Sequence, residues 1–408
     1  MLCKICSSED PQLFLSLGKT PLANNFVPKE HLEKEEPYFP LEACFCNHCK
    51  LVQLNYVVPP ELMFKHYVYV SSTTKMFREH FTKMAEDLTQ RFGLTKHSLV
   101  VDIGSNDGLL LKGFKNLGVK IYGVEPADNL ARQANAEGIA TLNEFFSAES
   151  VKQIIAEKGK ADVVTANNVF AHIEDIHAVT KNVKALLKDD GVFVIEVAYL
   201  VDMMKNMTFD AIYHEHIYSY SLTPLVYFFE EVQGMSVFDV EHVTTHGGSL
   251  RVYVKKQEGT WEIQPTVQQM LAEEKDFGIH EQKTYEHFAA KVNKSKEALV
   301  NYITLLKSQG KKIAGYGAPA KTTTLLHFCG LGNKELDYIV DDNPLKAGLY
   351  TPGNHIPVVS SGKLREEKPD YVLLLAWNFA NEIVQKNKEH QENGIKFIAP
   401  FPEPKIIE

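Results

Sequence analysis

The chain has 408 residues, 44% of them apolar and 23% charged, with a formal net charge of −9. Those proportions are those of a folded protein without long disordered tracts, and the length calls for three domains of ordinary size. A net negative surface lacks the field that a nucleic-acid polymer selects. No run reaches the roughly eighteen apolar residues of a membrane span, and Met1-Leu2-Cys3-Lys4 has no apolar signal core, so a cytoplasmic protein without a membrane partner is expected.

Five of the six cysteines fall within the first 49 residues. Cys3-Lys4-Ile5-Cys6 and Cys46-Asn47-His48-Cys49 are C-x-x-C knuckles, each able to set two thiolates on one ion. A reducing compartment disfavours disulfides, and no thioredoxin-like pattern surrounds either pair. Cys3, Cys6, Cys46 and Cys49 are therefore the expected ligands of a zinc ion, with Cys44 and His48 as alternatives for one position. A filled four-sulfur shell leaves no place for a reacting water, so the zinc is structural and staples a small module, expected over residues 1–70. Cys329, alone downstream, reads as a buried core thiol.

Residues 71–242 form the second expected domain. Ser98-Leu99-Val100-Val101-Asp102-Ile103 is a buried strand, Gly104 to Gly108 a tight turn, and Leu109 onward a helix start, the pattern of a nucleotide-binding crossover. A second strand, Ile121 to Val124, ends at Glu125, where a carboxylate can grip ribose hydroxyls. NAD, flavin and S-adenosylmethionine share that outline, but the dinucleotide fingerprint G-x-G-x-x-G is absent. Asp102 stands where methyltransferases hold the methionyl amine side of their cofactor. Phe145 or Phe146 is a candidate to flank adenine. The strand Ala161 to Asn167 delivers Asn168, and then His172, to the carboxyl edge of the sheet. Asp102, Gly104, Asn106, Gly108, Glu125 and Asn168 are thus the candidate cofactor residues.

Tyr213-His214-Glu215-His216 is dense in titratable groups but lacks the H-E-x-x-H spacing of a helical metal site. Residues 243–408 form the third expected domain. There Lys312 to Lys321 repeats the order strand, glycine turn, helix, with Lys321 set to meet phosphate, and later strands at Leu336–Asp342 and Asp370–Leu375 point to a second parallel sheet.

Asp102-Ile103-Gly104-Ser105-Asn106-Asp107-Gly108, preceded by two cysteine knuckles and followed by Tyr213-His214-Glu215-His216, resembles the nucleotide-sugar C-methyltransferases of the dTDP-4-keto-deoxysugar C-3 type, over essentially the whole chain. The resemblance implies an α/β protein with an N-terminal zinc-binding module, a central Rossmann-like methyltransferase domain and a C-terminal Rossmann-like α/β domain that helps hold a nucleoside-diphosphate sugar. Asn106 replaces the second glycine of the ordinary methyltransferase motif. Methylation at carbon needs a proton removed beside a carbonyl and an enolate stabilised. His216 is the expected base, with Glu215 orienting it and Tyr213 or His172 donating to the oxyanion. The resemblance also brings Tyr67, in preference to Tyr69, to the reacting sugar, and His246, Arg251 and Lys321 to the diphosphate. O- or N-methylation of a small molecule, or epimerisation of a keto sugar, would use much of the same apparatus.

Overall fold

The computed structural model describes residues 2–9, 11–64, 72 and 75–407. Strands β1 (Gln12–Thr20), β2 (Phe39–Phe45) and β3 (Val52–Leu54) form an antiparallel meander, with Gln12 opposite Phe45 and Thr20 opposite Phe39. Alternation along β1 buries Leu15 and Leu17 while Ser16 and Gly18 face solvent, the period-2 signature of a sheet with one covered face, and a register shift between Leu13 and Leu15 turns Leu13 outward. The cover is the 27-residue helix Gln282–Ser308, whose Tyr285 ring lies 4.2 Å from that of Phe45 and 5.2 Å from that of Phe14.

The central sheet is built from β4 (Leu99–Ile103), β5 (Lys120–Val124), β6 (Thr141–Leu142), β7 (Ala161–Asn167) and β8 (Leu187–Ala198), all parallel. Every residue of β4 is buried, as expected for a strand with helices on both faces. After β8 the short strand β9 (Tyr218–Ser219) leaves this sheet and pairs with β3, so the segment just beyond His216 completes the N-terminal meander. The hairpin β10 (Met235–Val243) and β11 (Ser249–Lys256) then returns, giving the order β10-β11-β8-β7-β4-β5-β6. The expected domain boundary at residue 242/243 therefore falls at the end of β10, and β11, beyond it, pairs with β8 from Ser249–Ala198 to Lys255–Val192. A sheet edge takes a partner wherever it lies in the sequence, so the central sheet gains a strand from the expected third domain.

The third sheet comprises β12 (Ile313–Tyr316), β13 (Ile339–Val340), β14 (Val358–Val359), β15 (Tyr371–Leu374), β16 (Lys396–Ala399) and β17 (Lys405–Ile407), in the order β14-β13-β12-β15-β16-β17. Counted within the domain this is 3-2-1-4-5-6, the doubly wound order. The expected parallel arrangement holds except at β17, an antiparallel edge strand. One continuous hydrophobic core runs from Cys3 and Leu15 through Phe193 and Phe228 to Ile313 and Ile398, so the N-terminal module is packed into the body of the protein.

Candidate active site

The four knuckle sulfurs lie within 4.8 Å of one another, with Cys3 Sγ to Cys49 Sγ at 3.4 Å and Cys6 Sγ to Cys46 Sγ at 3.6 Å. A disulfide would need about 2.05 Å. Tetrahedral zinc at about 2.3 Å from each sulfur separates them by about 3.8 Å, so the cluster fits that ion. Each knuckle closes on a left-handed residue, Ser7 at φ 58° and Lys50 at φ 66°, whose N–H donates to the carbonyl of Cys3 or Cys46. Cys44 is turned out of the cluster, its thiol pushed up to about 11 by burial, and His48 packs edge-on to Tyr227 at 5.6 Å.

At the carboxyl end of β4 the turn has Gly104 at φ 64°, Asn106 at φ 52° and Gly108 at φ 77°. A Cβ on Gly104 would come within 2.7 Å of the Val169 side chain, so close packing of the loop after β7 adds to the conformational demand. Asn106 has the side chain that best tolerates a left-handed backbone, which explains its place where a glycine is usual. Glu125 fixes the turn: its Oε2 accepts from Asn106 N and its Oε1 from Ala127 N, both at 2.8 Å. Asp102 is buried, with Oδ1 accepting from Thr165 Oγ1 at 2.6 Å and Asn167 Nδ2 at 3.5 Å, and burial pushes its carboxyl up to about 7. Ser105 Oγ, Asp107 Oδ1 and Asn167 Oδ1 are buried polar atoms around the same turn that find no hydrogen-bond partner among the described residues. This crowd of acceptors fits a cofactor that carries an ammonium, ribose hydroxyls and a sulfonium. Asn168, at φ 54°, opens the loop to His172 and donates its N–H to Glu196 O at 2.7 Å. Phe145 is exposed and Phe146 half-buried on the loop after β6.

The Tyr213–His216 run divides by direction. His216 Nδ1 lies 2.7 Å from Ala211 O; a carbonyl only accepts, so Nδ1 carries the hydrogen and the neutral ring bears its lone pair on Nε2. The Tyr213 ring stands 4.1 Å from that of His216, and the His172 ring 5.0 Å on. These three expected residues come together. His214 instead turns to the N-terminal module, its Nε2 donating to Pro40 O at 3.2 Å; burial holds its pKa below the usual imidazole range. Glu215, 4% exposed, accepts from Asn24 Nδ2 at 2.5 Å. Tyr67 and Tyr69 lie outside the described residues, as does the side chain of His246.

Lys321 sits in the first turn of the helix Ala320–Cys329, hydrogen-bonded to Asn378 and 5.7 Å from the Trp377 ring. Trp377 Nε1 donates to Asp210 Oδ2 at 2.8 Å, and Thr324 Oγ1 donates to Ile212 O at 3.1 Å, which fastens the C-terminal domain to the turn just before Tyr213. Burial lowers the Lys321 pKa, opposed by the Asp210 charge. The acid–turn pairing of Glu125 recurs here: Asp341, after β13, accepts from Ala318 N at 2.6 Å. Cys329 is buried, as expected.

Arg251, expected at a diphosphate, is committed within the central sheet. Its Nε and Nη2 donate to Glu196 Oε2 at 3.1 and 3.0 Å, its Nη1 faces Glu241 at 3.4 Å, and it is 4% exposed. Glu196 also accepts from His80 Nε2 at 2.7 Å and Thr245 Oγ1 at 3.0 Å. Burial alone would raise the Glu196 pKa, but His80 and Arg251 outweigh it and hold the carboxyl below its ordinary value. Glu196, Asn24 and Asp210 were not singled out from sequence. An acid inside the apolar run Val192 to Val197 was the visible signal for Glu196; Asn24 and Asp210 carried none.

Three family models match in series: "Putative zinc binding domain" over residues 3–64, "Methyltransferase domain" over 76–233 and "C-methyltransferase C-terminal domain" over 244–402. C-methyltransferase NovU of Streptomyces niveus is 41% identical over 405 residues, covering 99% of this chain and 96% of that protein. A ubiquinone biosynthesis O-methyltransferase of Rhodopseudomonas palustris (strain HaA2) is 29% identical over 28% of this chain and 44% of its own length. Among solved structures, magnesium protoporphyrin IX methyltransferase of Synechocystis PCC 6803 with bound SAH overlaps 44% of this chain and 83% of its own, at 15% identity and a TM-score of 0.36. The chain belongs to the C-methyltransferase family that includes NovU, and it is an S-adenosylmethionine-dependent C-methyltransferase with a zinc-binding N-terminal domain.

Proposed function

We propose that this protein methylates a carbon beside the ketone of a nucleoside-diphosphate 4-keto-deoxysugar, with His216 as the base. The observation that carries the reading is the Nδ1 hydrogen bond of His216 to Ala211 O, which leaves Nε2 as the basic atom of a neutral imidazole, flanked by Tyr213 and His172. His216 Nε2 takes the proton from the carbon; the electron pair moves into the carbonyl, and the charge collects on its oxygen. Tyr213 Oη–H and a His172 N–H are the donors that stabilise it. S-adenosylmethionine, when bound, supplies an electrophilic methyl group. Asp102, Gly104, Asn106, Gly108, Glu125 and Asn168 would hold it at the end of β4, where Asp102 would supply a carboxylate for its ammonium. The nucleoside diphosphate belongs to the C-terminal domain, a reading supported by the 3-2-1-4-5-6 strand order, the Asp341–Ala318 pairing and Lys321 in the first turn of a helix. Tyr67 and His246 keep the roles that the family resemblance implies, while Arg251 holds Glu196. The zinc is structural, since four thiolates fill its shell.

The test is solvent-deuterium exchange into a dTDP-4-keto-6-deoxyhexose without methyl donor. The wild-type protein exchanges the hydrogen beside the ketone. His216→Asn loses about 10²–10⁴ of that rate yet binds S-adenosylhomocysteine as tightly as wild type. Undiminished exchange in the variant would remove His216 as the base, and no exchange in the wild type would remove the enolate.

A further inference from the structure

We propose that the zinc-binding module completes the active site through Asn24, a positioning residue that acts on Glu215. The inference rests on the assignment of Tyr213–His216 to the reacting centre. Asn24 lies in the turn Leu22–Asn25 that follows β1, closed by Asn25 N donating to Leu22 O at 3.2 Å. Its Nδ2 reaches across 191 positions of sequence to Glu215 Oε1 at 2.5 Å. The turn is itself held from the C-terminal domain, where Thr323 Oγ1 donates to Ala23 O at 3.1 Å. Leu22, Asn24, Leu62 and Met63 of the module line one cleft with His214 and Glu215.

The module grips both sides of the reacting segment as well: His214 Nε2 donates to Pro40 O at 3.2 Å, and Leu54 N donates to Ile217 O at 2.8 Å. His216 is thus flanked by residues whose partners belong to β2, β3 and the turn after β1. A carboxylate as buried as Glu215 takes a defined orientation only from donors aimed at it, and the carboxamide of Asn24 is such a donor on a turn anchored at two places. Misplacement of a group at a reacting centre by about 1 Å costs on the order of 10² in rate, so the amide sets kcat without touching substrate.

The test is a double-mutant cycle on the full-length zinc-loaded protein, with methyl transfer to a dTDP-4-keto-6-deoxyhexose as the rate. Asn24→Ala lowers kcat about 10- to 100-fold, with the KM for S-adenosylmethionine, the zinc content and Tm near wild type. Glu215→Ala also lowers kcat, and adding Asn24→Ala to it changes kcat by less than about two-fold, because the alanine leaves the Asn24 amide no carboxylate to position. If the alanine variant loses zinc, Asn24→Ser carries the same cycle. A wild-type kcat in the Asn24 variant, or an equal fold-loss in both backgrounds, overturns the proposal. A wild-type kcat in Glu215→Ala alone overturns instead the placement of Glu215 at the reacting centre.

Discussion

Asp102→Asn should make the cofactor-free protein more stable at alkaline pH and no more stable in acid. The Asp102 carboxyl is pushed from 3.8 up to about 7, chiefly by burial, against the opposing hydrogen bond from Thr165. In the unfolded chain it ionises near its reference value of about 3.9. Between about pH 4 and pH 7 the folded state therefore holds a proton that the unfolded state has lost, and stability falls as pH rises through that window. Three decades at about 1.36 kcal/mol each amount to about 4 kcal/mol, fully felt above pH 7 and absent below pH 4. An amide at 102 does not ionise and keeps a partner for Thr165. For a domain of this size about 4 kcal/mol corresponds to a Tm rise of roughly 8–16 °C at pH 8. Differential scanning fluorimetry from pH 4.5 to 8.5, without cofactor, reads the difference directly. Titration calorimetry of the same variant should show S-adenosylhomocysteine bound at least about ten-fold more weakly, through loss of a charged partner for its ammonium. A Tm difference that does not change with pH would refute the argument that a buried, ionising Asp102 trades stability for cofactor binding.

Other perturbations test neighbouring parts of the account. Glu196→Ala leaves Arg251 buried with only the partly exposed Glu241 for charge, and chemical denaturation should report a loss of about 3–5 kcal/mol. Cys46→Ser removes one thiolate from the cluster; zinc bound per chain, measured by atomic emission, should fall well below one, and protease should cut within residues 1–60 before the central sheet. Lys321→Met keeps the stem against Trp377 but removes the charge, so the KM for the nucleotide sugar should rise about ten-fold or more with S-adenosylhomocysteine binding unchanged. A full-length, unchanged KM in that last variant would move the diphosphate away from the helix Ala320–Cys329.

What was legible in the sequence was what spacing alone can encode. A C-x-x-C pair fixes two ligands within one turn, and a strand followed by a glycine turn and a helix fixes the cofactor end of β4; both required no knowledge of distant residues. Asn106 was readable as a departure, and its φ of 52° supplies the reason. Tyr213, His216 and His172 lie close together because the loop after β7 and the segment after β8 meet at the same edge of a doubly wound sheet. The pairings of Arg251 and Asn24 escaped because their partners, Glu196 and Glu215, lie 55 and 191 positions away and no local period links them. The resemblance implies a diphosphate partner in Arg251, whereas the register of β11 against β8 sets it opposite Glu196. The sheet shared by β3 and β9, likewise, joins two expected domains through a two-residue strand too short to announce itself.

The central claim is that carbon of a keto sugar accepts the methyl group. It is tested most directly by incubating the protein with S-adenosylmethionine labelled with ¹³C in its methyl group and a dTDP-4-keto-6-deoxyhexose, then recording carbon-detected and long-range proton–carbon NMR of the nucleotide sugar. The account predicts a labelled methyl joined to the ring carbon beside the ketone; a label on oxygen or nitrogen, or an unlabelled sugar whose ring stereochemistry alone has changed, would contradict it.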